Sequence, residues 1–487
     1  MTATRTTRRP FVIAAVMASM FMVAIEATIV STAMPQIVGD LGGLSLYSWV
    51  FSAFLLTQTA ATVVFGKLSD VYGRRRVLLA GIGLFLAGSL LCGFARTMPE
   101  MIAFRLFQGI GAGAIQPVAL TIVGDLYTAR ERGRIQGFLA SVWAVSAVIG
   151  PMAGGFIIQH ASWAWIFWIN LPIGVVAVTF FVLFLHEGVA RERRSIDVPG
   201  AALFTAAVAA MMVGLTEIGE GRWGAASAAA AVFAASAALL VWQERRAPEP
   251  ILAFGLWGRR PIAAANASGL LAGMALIGLT TFLPMYVQGV LRQSPIVAGM
   301  ALTVMVLGWP IGATLAARSI GRFSLRRIMI AGSLLLPTGA AVLLTLGHGS
   351  HPAVAGAGSL VMGFGMGLLS TAALVLIQEI VPWSQRGSAT ASNVFARNLG
   401  STLGATVFGA VLNHGLAGRG APASSEDLQR VLAPGALPPD LAGVQALLDG
   451  ALHQTFWAVF VIALLAVVAA VLTPHVALGR AAEAPAE

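Results

Sequence analysis

Long apolar segments separated by short polar ones run through the whole chain. A bilayer core requires about 20 consecutive apolar residues in a helix. Segments of this kind recur fourteen times, near residues 11–38, 46–66, 77–95, 101–124, 135–158, 164–185, 198–216, 224–242, 262–288, 297–315, 328–346, 353–380, 387–413 and 453–473. They are continuously apolar, whereas the strands of a membrane barrel alternate in polarity. The pattern therefore predicts an all-α integral membrane protein with fourteen transmembrane helices.

An even number of spans places both termini on one side of the membrane. Of the 30 Lys and Arg residues, 23 fall in the termini and loops of that side, five fall in the opposite loops, and two, Arg105 and Arg397, fall inside spans. Basic loops stay on the cytoplasmic side of a membrane. We therefore predict a multi-pass protein of the cell (cytoplasmic or inner) membrane with both termini cytoplasmic, and we call the side that carries the 23 cations the basic side.

Two longer polar stretches on the basic side divide the predicted spans into groups of six, two and six. HEGVARERRSID (186–197) follows the sixth span, and an Arg- and Pro-rich stretch (243–261) follows the eighth. The predicted domains are an N-terminal six-helix bundle (1–186), a two-helix insert with its linkers (187–260) and a C-terminal six-helix bundle (261–487) with an external loop at 414–452. Within that loop, SSEDLQRVL and LAGVQALLDG could form short amphipathic helices.

The composition excludes several classes of protein. With 57% hydrophobic and 10% charged residues, the chain has too few charges for a soluble domain, which carries about 25%. The formal charge of +10 follows the topology, so we expect no nucleic-acid partner. A single cysteine, Cys92, excludes a disulfide framework, and the seven histidines stand at span ends or in loops. We therefore expect no metal site and no enzyme activity.

The loop between the second and third predicted spans carries the strongest local motif, GKLSDVYGRRRVLL (66–79). Its ordered spacing of Gly, Leu, Asp, Gly and Arg-Arg resembles the signature loop of the major facilitator superfamily, in which an Asp–Arg network latches the cytoplasmic side. Val71 stands where that pattern often has Arg, and the corresponding loop of the second half (314–328) has Arg318 where the Asp would lie. The resemblance implies a cytoplasmic gate made of Gly66, Asp70, Gly73, Arg74 and Arg75.

Two charged residues lie deep inside predicted spans of the first bundle. Arg105 stands in the fourth span, within MIAFRLFQGIGAGA (101–114), and Glu26 stands in the first, within IEATIVSTAMP (25–35). Glu26 lies roughly 20–25 Å from the charged residues at either end of its span, near mid-membrane. Charge at that depth is expensive and marks ion pathways, and a buried carboxyl can exchange a proton near neutral pH.

Both segments resemble motifs of the fourteen-span drug:proton antiporters of the same superfamily. Segment 101–114 is similar to the fourth-helix motif, whose arginine is tied to proton coupling, and segment 25–35 is similar to the first-helix signature, with Glu26 as its acid instead of Asp and Ser31 in place of the usual Asn. The resemblance implies that Glu26 and Arg105 couple proton movement to transport.

Three further segments narrow the resemblance to this branch. SAVIGPMAGGFI (146–157) resembles the antiporter motif GxxxGPxxGG, with Ser146 in place of the first glycine. WAWIFWINLPIG (163–174) resembles the sixth-helix entry, with Ala164 in place of the usual Arg, and SNVFARNLGSTLGA (392–405) resembles the span-thirteen pattern. The resemblance implies a major facilitator fold of two six-helix bundles, with the two extra helices outside the pore, and an antiporter hinge made of Gly150, Pro151, Gly154 and Gly155.

The function implied is that of a proton-coupled secondary active exporter, an antiporter that works by alternating access and needs no cofactor because the proton gradient drives it. We expect its partners to be a small-molecule substrate, protons and the lipid bilayer, with the chain working as a monomer. A lone carboxylate balances one positive charge, so lipophilic or cationic drugs are the expected substrates. The alternatives are an uncoupled or importing facilitator, or a transporter of a specific metabolite or siderophore. The candidate cavity residues are Thr28, Gln108, Gln116, Trp143, Trp309, Asn393 and Arg397.

Overall fold

The computed structural model describes residues 7–42, 47–187, 197–219, 221–247, 254–417, 431 and 441–476. Within this part of the chain, 12 helices are long and apolar enough to cross a membrane. Two more long helices, of 32 residues each, cover Ala129–His160 and Arg386–Ala417. The second of these carries three Ser, three Thr and three Asn residues, which lower its mean hydropathy. The all-helical membrane fold is confirmed, and the count of fourteen spans stays a prediction.

The first bundle forms from a run of antiparallel helices. Its elements are α1 (Arg9–Leu41), α2 (Tyr47–Tyr72), α3 (Arg74–Cys92), α4 (Met98–Leu126), α5 (Ala129–His160), α6 (Trp165–Trp168) and α7 (Asn170–Phe184). The predicted sixth span is thus divided into α6 and α7. Pro172 lacks the N–H that would continue the ladder to Trp168, which explains the break at Ile169. Within the bundle, α2 and α3 pack on α4, and α1 packs on α5 and α7.

The second bundle repeats this arrangement. Its elements are α10 (Phe254–Trp257), α11 (Arg260–Gly289), α12 (Pro295–Ser319), α13 (Leu325–Leu344), α14 (Pro352–Glu379), α15 (Arg386–Ala417) and α16 (Ala442–Val471), and they follow the insert helices α8 (Val198–Gly219) and α9 (Trp223–Glu244). α12 and α13 pack on α14, and α11 packs on α15 and α16. The insert helices pack on each other, and α8 also contacts α2 and α15.

The predicted external loop at 414–452 is shorter than expected. α15 extends to Ala417, and LAGVQALLDG supplies the first turns of α16 instead of a separate amphipathic helix. These turns are held because Gln445 Nε2 donates to the carbonyls of Gly289 (3.2 Å) and Val290 (2.9 Å), and because Leu448 and Leu452 are buried. SSEDLQRVL lies outside the described residues except for Val431.

The two bundles approach each other most closely on the basic side. A Cβ on Gly133 of α5 would lie 2.6 Å from the Cα of Ala317 of α12. A Cβ on Gly66 of α2 would overlap the Cβ of Ala391 of α15 and lie 3.0 Å from the carbonyl oxygen of Gly387. Small residues let helix backbones approach this closely. The basic side is therefore closed, and the bundles separate around a central cavity.

Candidate functional site

The central cavity has a volume of about 790 Å³ and is lined by α1, α2, α4 and α5 of the first bundle and by α11, α12, α14 and α15 of the second. This volume suits a drug-sized ligand. Most of the lining is apolar, with isolated polar groups among the hydrophobic and aromatic side chains. The predicted cavity residues that line it are Thr28, Gln116, Trp143, Trp309, Asn393 and Arg397.

Two expectations about the cavity are wrong. Gln108 does not line it, because this side chain points into the interior of the first bundle, where its Oε1 accepts from Arg105 Nη1 at 2.8 Å. The insert helix α8 does line it, through Met212, Val213 and Leu215, because α8 packs where α2 and α15 flank the cavity. Helix α9 contributes nothing to the lining within the part of the chain that the structure describes.

Glu26 and Arg105 meet in a buried network at the cavity wall. Glu26 Oε1 accepts from Arg105 Nη1, and Oε2 accepts from Asn170 Nδ2 at 2.8 Å. The guanidinium also donates through Nε to the carbonyl of Val50 (3.1 Å) and lies over the ring of Phe54, 4.2 Å from its centroid. Glu26 is 0% exposed and Arg105 2%. The pair predicted from sequence is therefore in direct contact, and it joins α1, α4 and α7.

Neutral polar side chains complete this network, and the sequence analysis missed two of them. Gln108 Nε2 donates to Ser89 Oγ (2.7 Å), and Asn170 Nδ2 lies 3.3 Å from the same hydroxyl. Asn170 lies within the sixth-helix segment that resembles the antiporter branch, which was the available signal. Its role as a donor to Glu26 depends on the start of α7 at that residue. Buried carboxylates are stable only when donors of this kind replace water.

Asp70 joins the two bundles at the basic side. Its Oδ1 accepts from Arg74 Nη2 (3.1 Å) and from the backbone N–H of Gly387 (2.9 Å). Its Oδ2 accepts from the N–H and the hydroxyl of Ser388, both at 2.8 Å. Gly387 and Ser388 are in the first turn of α15, where unpaired N–H groups and the helix dipole favour a carboxylate. A residue of the first bundle thus caps a helix of the second.

Arg74 is the centre of the ionic gate. Its Nε donates to Asp125 Oδ2 (3.0 Å) and its Nη2 donates to the carbonyl of Trp383 (2.7 Å), whose ring lies 3.8 Å from the guanidinium carbon. From the other bundle, Arg386 Nη1 lies 3.3 Å from Asp125 Oδ1. Asp125 therefore holds an arginine from each bundle. Asp125 could not be predicted from the sequence, because its role becomes visible only when the ends of α4 and α15 are brought together.

A second ion pair between the bundles lies beside this gate. Arg132 Nη1 donates to Glu379 Oε1 at 2.7 Å. Burial lowers the pKa of the Arg132 guanidinium, and the Glu379 carboxylate partly offsets this shift. The arginine remains charged. Nearby, Gln378 Nε2 donates to the carbonyl of Leu120 at 3.1 Å. Closure of the basic side thus uses polar contacts from α2, α3, α4 and α5 of the first bundle and from α14 and α15 of the second.

The remaining gate residues shape the turn between α2 and α3. Gly73 has a backbone φ of +91°, a conformation that residues with a side chain rarely adopt. Glu187 accepts from the N–H groups of Arg74 (2.7 Å) and Arg75 (3.1 Å) at the start of α3. The Arg75 side chain donates to the carbonyl of Val182 (2.7 Å). Arg75 therefore contacts its own bundle, whereas Arg74 also contacts the second one.

The antiporter motif lies on α5, and its glycines differ in their surroundings. A Cβ on Gly150 would overlap Thr28 Oγ1 on α1, whereas a Cβ on Gly155 would meet no atom within 4 Å. Thr28 Oγ1 donates to the carbonyl of Ser146 at 3.1 Å, so this part of the motif packs α5 on α1. Gly154 is buried, and the side chain of Pro151 lies outside the described part of the structure. The proposed hinge role of these residues stays a prediction.

The chain matches known transporter sequences over most of its length. The family model described as Major Facilitator Superfamily matches residues 16–405. A multidrug transporter protein of Bacillus subtilis (strain 168) is 34% identical over 410 residues, which cover 83% of this chain and 76% of that protein. Multidrug resistance protein 3 of the same organism is 33% identical over 483 residues, covering 95% of this chain and 94% of that protein.

Solved structures support the same architecture. The crystal structure of the human organic anion transporter TETRAN superposes with a TM-score of 0.68 at 16% sequence identity, covering 95% of this chain and 99% of that one. At this identity the likeness establishes the fold alone. The fold implied by the sequence motifs is confirmed.

Proposed function

The chain belongs to the major facilitator superfamily, and from this premise we propose that it is a proton-coupled exporter of small, lipophilic or cationic drugs. It exchanges substrate for protons by alternating access, with both termini in the cytoplasm. Relatives named as multidrug transporters support drug efflux. The observation that carries the proposed coupling is the Glu26–Arg105 ion pair, buried at the wall of a cavity between the bundles.

Protonation of Glu26 would change the stability of the first bundle. In the described state the carboxylate accepts from Arg105 and Asn170. A proton on Glu26 removes its charge and leaves the Arg105 guanidinium buried without a counter-ion, which is strongly unfavourable. The bundle can relieve this cost by moving α1 relative to α4 and α7, and that movement is how we propose that proton binding drives the conformational change.

The closed basic side supplies the second conformational element. Asp70, Asp125 and Arg132 each contact the second bundle. These contacts must break before the cavity can open to the basic side. With the basic side in the cytoplasm, the described state faces outward, and proton binding from outside would precede the return to the inward-facing state.

Transport by the purified protein in liposomes tests this proposal. Vesicles with an imposed pH gradient are supplied with a cationic, a neutral and an anionic fluorescent dye of similar size. We expect at least one dye to accumulate against its gradient, with matching proton flux in the opposite direction, and accumulation to stop when a protonophore collapses the gradient. Transport that only equilibrates the dye, at a rate that does not depend on the pH gradient, would indicate an uncoupled facilitator instead.

A further inference from the structure

The second bundle places an arginine beside the cavity, and none of the residues that the structure describes provides a counter-ion for it. Arg397 lies on α15, roughly 16 Å along the helix from its basic-side end. It is partly exposed and lines both the central cavity and a small adjoining pocket between α11, α14 and α15. Among the described residues, no carboxylate pairs with its guanidinium and no acceptor hydrogen bonds to it.

The deeply buried arginines differ from Arg397 in this respect. Arg74 pairs with Asp70 and Asp125, Arg105 pairs with Glu26, and Arg132 pairs with Glu379. Among the described residues that line the cavity, Glu26 is the one carboxylate, and Arg105 and Asn170 already occupy its oxygens. The charge that the cavity offers to a ligand is therefore positive.

The surroundings of Arg397 combine polar and apolar groups. Asn393, Asn398, Ser401 and Thr402 line the cavity on the same helix, and Met305 and Trp309 line it from α12. Asn393 Nδ2 donates to Asn266 Oδ1 at 3.3 Å, which holds this side chain in place. Gly273 of α11 lets this helix approach α15 closely at Arg397, because a Cβ there would overlap the carbonyl oxygen of Arg397 and lie 3.3 Å from its Cγ.

An unpaired guanidinium at membrane depth is costly, and a bound anion removes that cost. We propose that Arg397 is the binding site for the acidic group of the substrate, and that the preferred substrates are lipophilic organic carboxylates. The planar guanidinium can donate two parallel hydrogen bonds to a carboxylate, while the apolar cavity wall accepts the rest of the molecule. This inference rests on the proposed export function and narrows its substrate class.

Separate sites for substrate and proton follow from this assignment. The carboxylate binds to Arg397 in the second bundle, and the proton binds to Glu26 in the first. A cationic substrate would have to displace Arg105 or Asn170 from Glu26, whereas an anion meets a guanidinium with no competing partner. Substrate binding therefore does not require Glu26 to be ionised.

Binding of matched fluorescent probes to the full-length protein in detergent tests the inference. The probes are 1-pyrenebutyrate, its methyl ester and a pyrene probe of the same length that ends in trimethylammonium. We expect the protein to bind the carboxylate most tightly. We expect Arg397→Gln to weaken carboxylate binding about 10- to 100-fold, since a charge-assisted contact is lost, and to change ester binding less than about twofold.

Arg397→Lys and Asn413→Ala serve as controls for charge and for local structure. The Lys variant should retain part of the preference for the carboxylate, because it keeps the charge but loses the two parallel donors. Asn413 is exposed on the same helix, away from the cavity lining, and Asn413→Ala should keep the preference nearly in full. Unchanged ester binding shows that each variant is folded. Equal affinity of the wild-type protein for acid and ester, or tighter binding of the cationic probe, would overturn the inference.

Transport of the same probes separates this inference from the proposed function. If the carboxylate binds through Arg397 but no probe moves under a pH gradient, the anion site stands and the proposed export function fails. If the ester or the cation is exported while the carboxylate neither binds nor moves, export stands and the anion site is wrong.

Discussion

Asp70 is the residue on which closure of the basic side depends most directly. Its two oxygens accept from Arg74 in its own bundle and from Gly387 and Ser388 in the other. A hydrogen bond to a charged group contributes about 1.5–3 kcal/mol. Loss of these contacts would therefore change the free-energy difference between the closed and open states of this side.

Asp70→Asn is expected to slow transport without abolishing substrate binding. The amide has the shape of the carboxylate, but an NH₂ group replaces one of the two oxygens. That group cannot accept the hydrogen bonds that the oxygen accepted. We therefore expect the closed state to lose about 1.5–3 kcal/mol. Transport rate and equilibrium dye binding are to be measured on the same preparation.

Asp40→Asn provides the matched control for this variant. Asp40 lies at the other end of the first bundle, where its Oδ2 accepts from Trp163 Nε1 at 2.9 Å within that bundle. This variant should transport at close to the normal rate. Loss of dye binding by a folded Asp70→Asn protein would show that Asp70 belongs to recognition and not to the gate.

Charged side chains were the part of the site that the sequence predicted best. Glu26 and Arg105 are 79 positions apart. The cost of burying charge marked each of them as functional, and the resemblance to the antiporter motifs supplied the expectation that they act together. Neutral polar residues gave no such signal. Ser89, Gln108 and Asn170 could face either the cavity or the bundle interior, and only the rotation of each helix about its axis decides which.

Contacts between glycine backbones set the helix spacing at the closed side. Gly66 of α2 packs directly on Gly387 and Ala391 of α15. Gly155 of α5 lies in open space, although both glycines belong to motifs that resemble those of the family. The two positions therefore form a natural pair for testing whether close packing controls the gate.

Gly66→Ala is expected to shift the protein toward the state that is open on the basic side. The added methyl group would overlap Ala391 Cβ, and overpacking of this kind costs about 1–3 kcal/mol. Spin labels at the basic-side ends of α2 and α15 report the change in distance between these ends. Gly155→Ala should leave that distance distribution unchanged, and a shift of similar size in both variants would contradict this account.

Gly150→Ala is expected to weaken the contact between α1 and α5. A Cβ there would overlap Thr28 Oγ1 and lie 2.9 Å from Thr28 Cβ. We expect thermal unfolding of the variant at lower temperature, corresponding to about 1–3 kcal/mol. Gly155→Ala is again the control and should unfold at nearly the wild-type temperature. Equal stability of both variants would show that α5 can shift to accept the methyl group.

Element boundaries followed from hydropathy wherever the lipid-facing pattern was simple. Hydropathy placed the start of α16 near residue 453, but the helix begins at Ala442, because Gln445 finds backbone acceptors on α11. The position of α8 beside the cavity could not be predicted either. The position of α8 depends on where the insert packs against α2 and α15. The apolar pattern of the sequence does not determine this.

At the scale of the whole molecule, the two bundles resemble each other in helix packing but not in chemistry. The first contains the Glu26–Arg105 pair, and the second offers Arg397, whose guanidinium has no counter-ion among the described residues. The closed side is likewise unsymmetrical. Asp70 of the first bundle caps α15, whereas the corresponding loop of the second bundle has Arg318 in place of the acid. This arrangement suits a division of roles in which the first bundle binds the proton and the second binds the substrate.

Proton-driven transport by Glu26→Gln is the most direct test of the proposed coupling. Gln resembles a protonated Glu in shape but cannot exchange a proton, so the variant is measured in liposomes beside the wild type and Glu26→Asp. We predict that Glu26→Gln binds the dye and equilibrates it across the membrane, but does not accumulate it under a pH gradient, and that Glu26→Asp retains part of the accumulation. Undiminished pH-driven accumulation by Glu26→Gln would contradict the account, because the coupling carboxyl would then lie elsewhere.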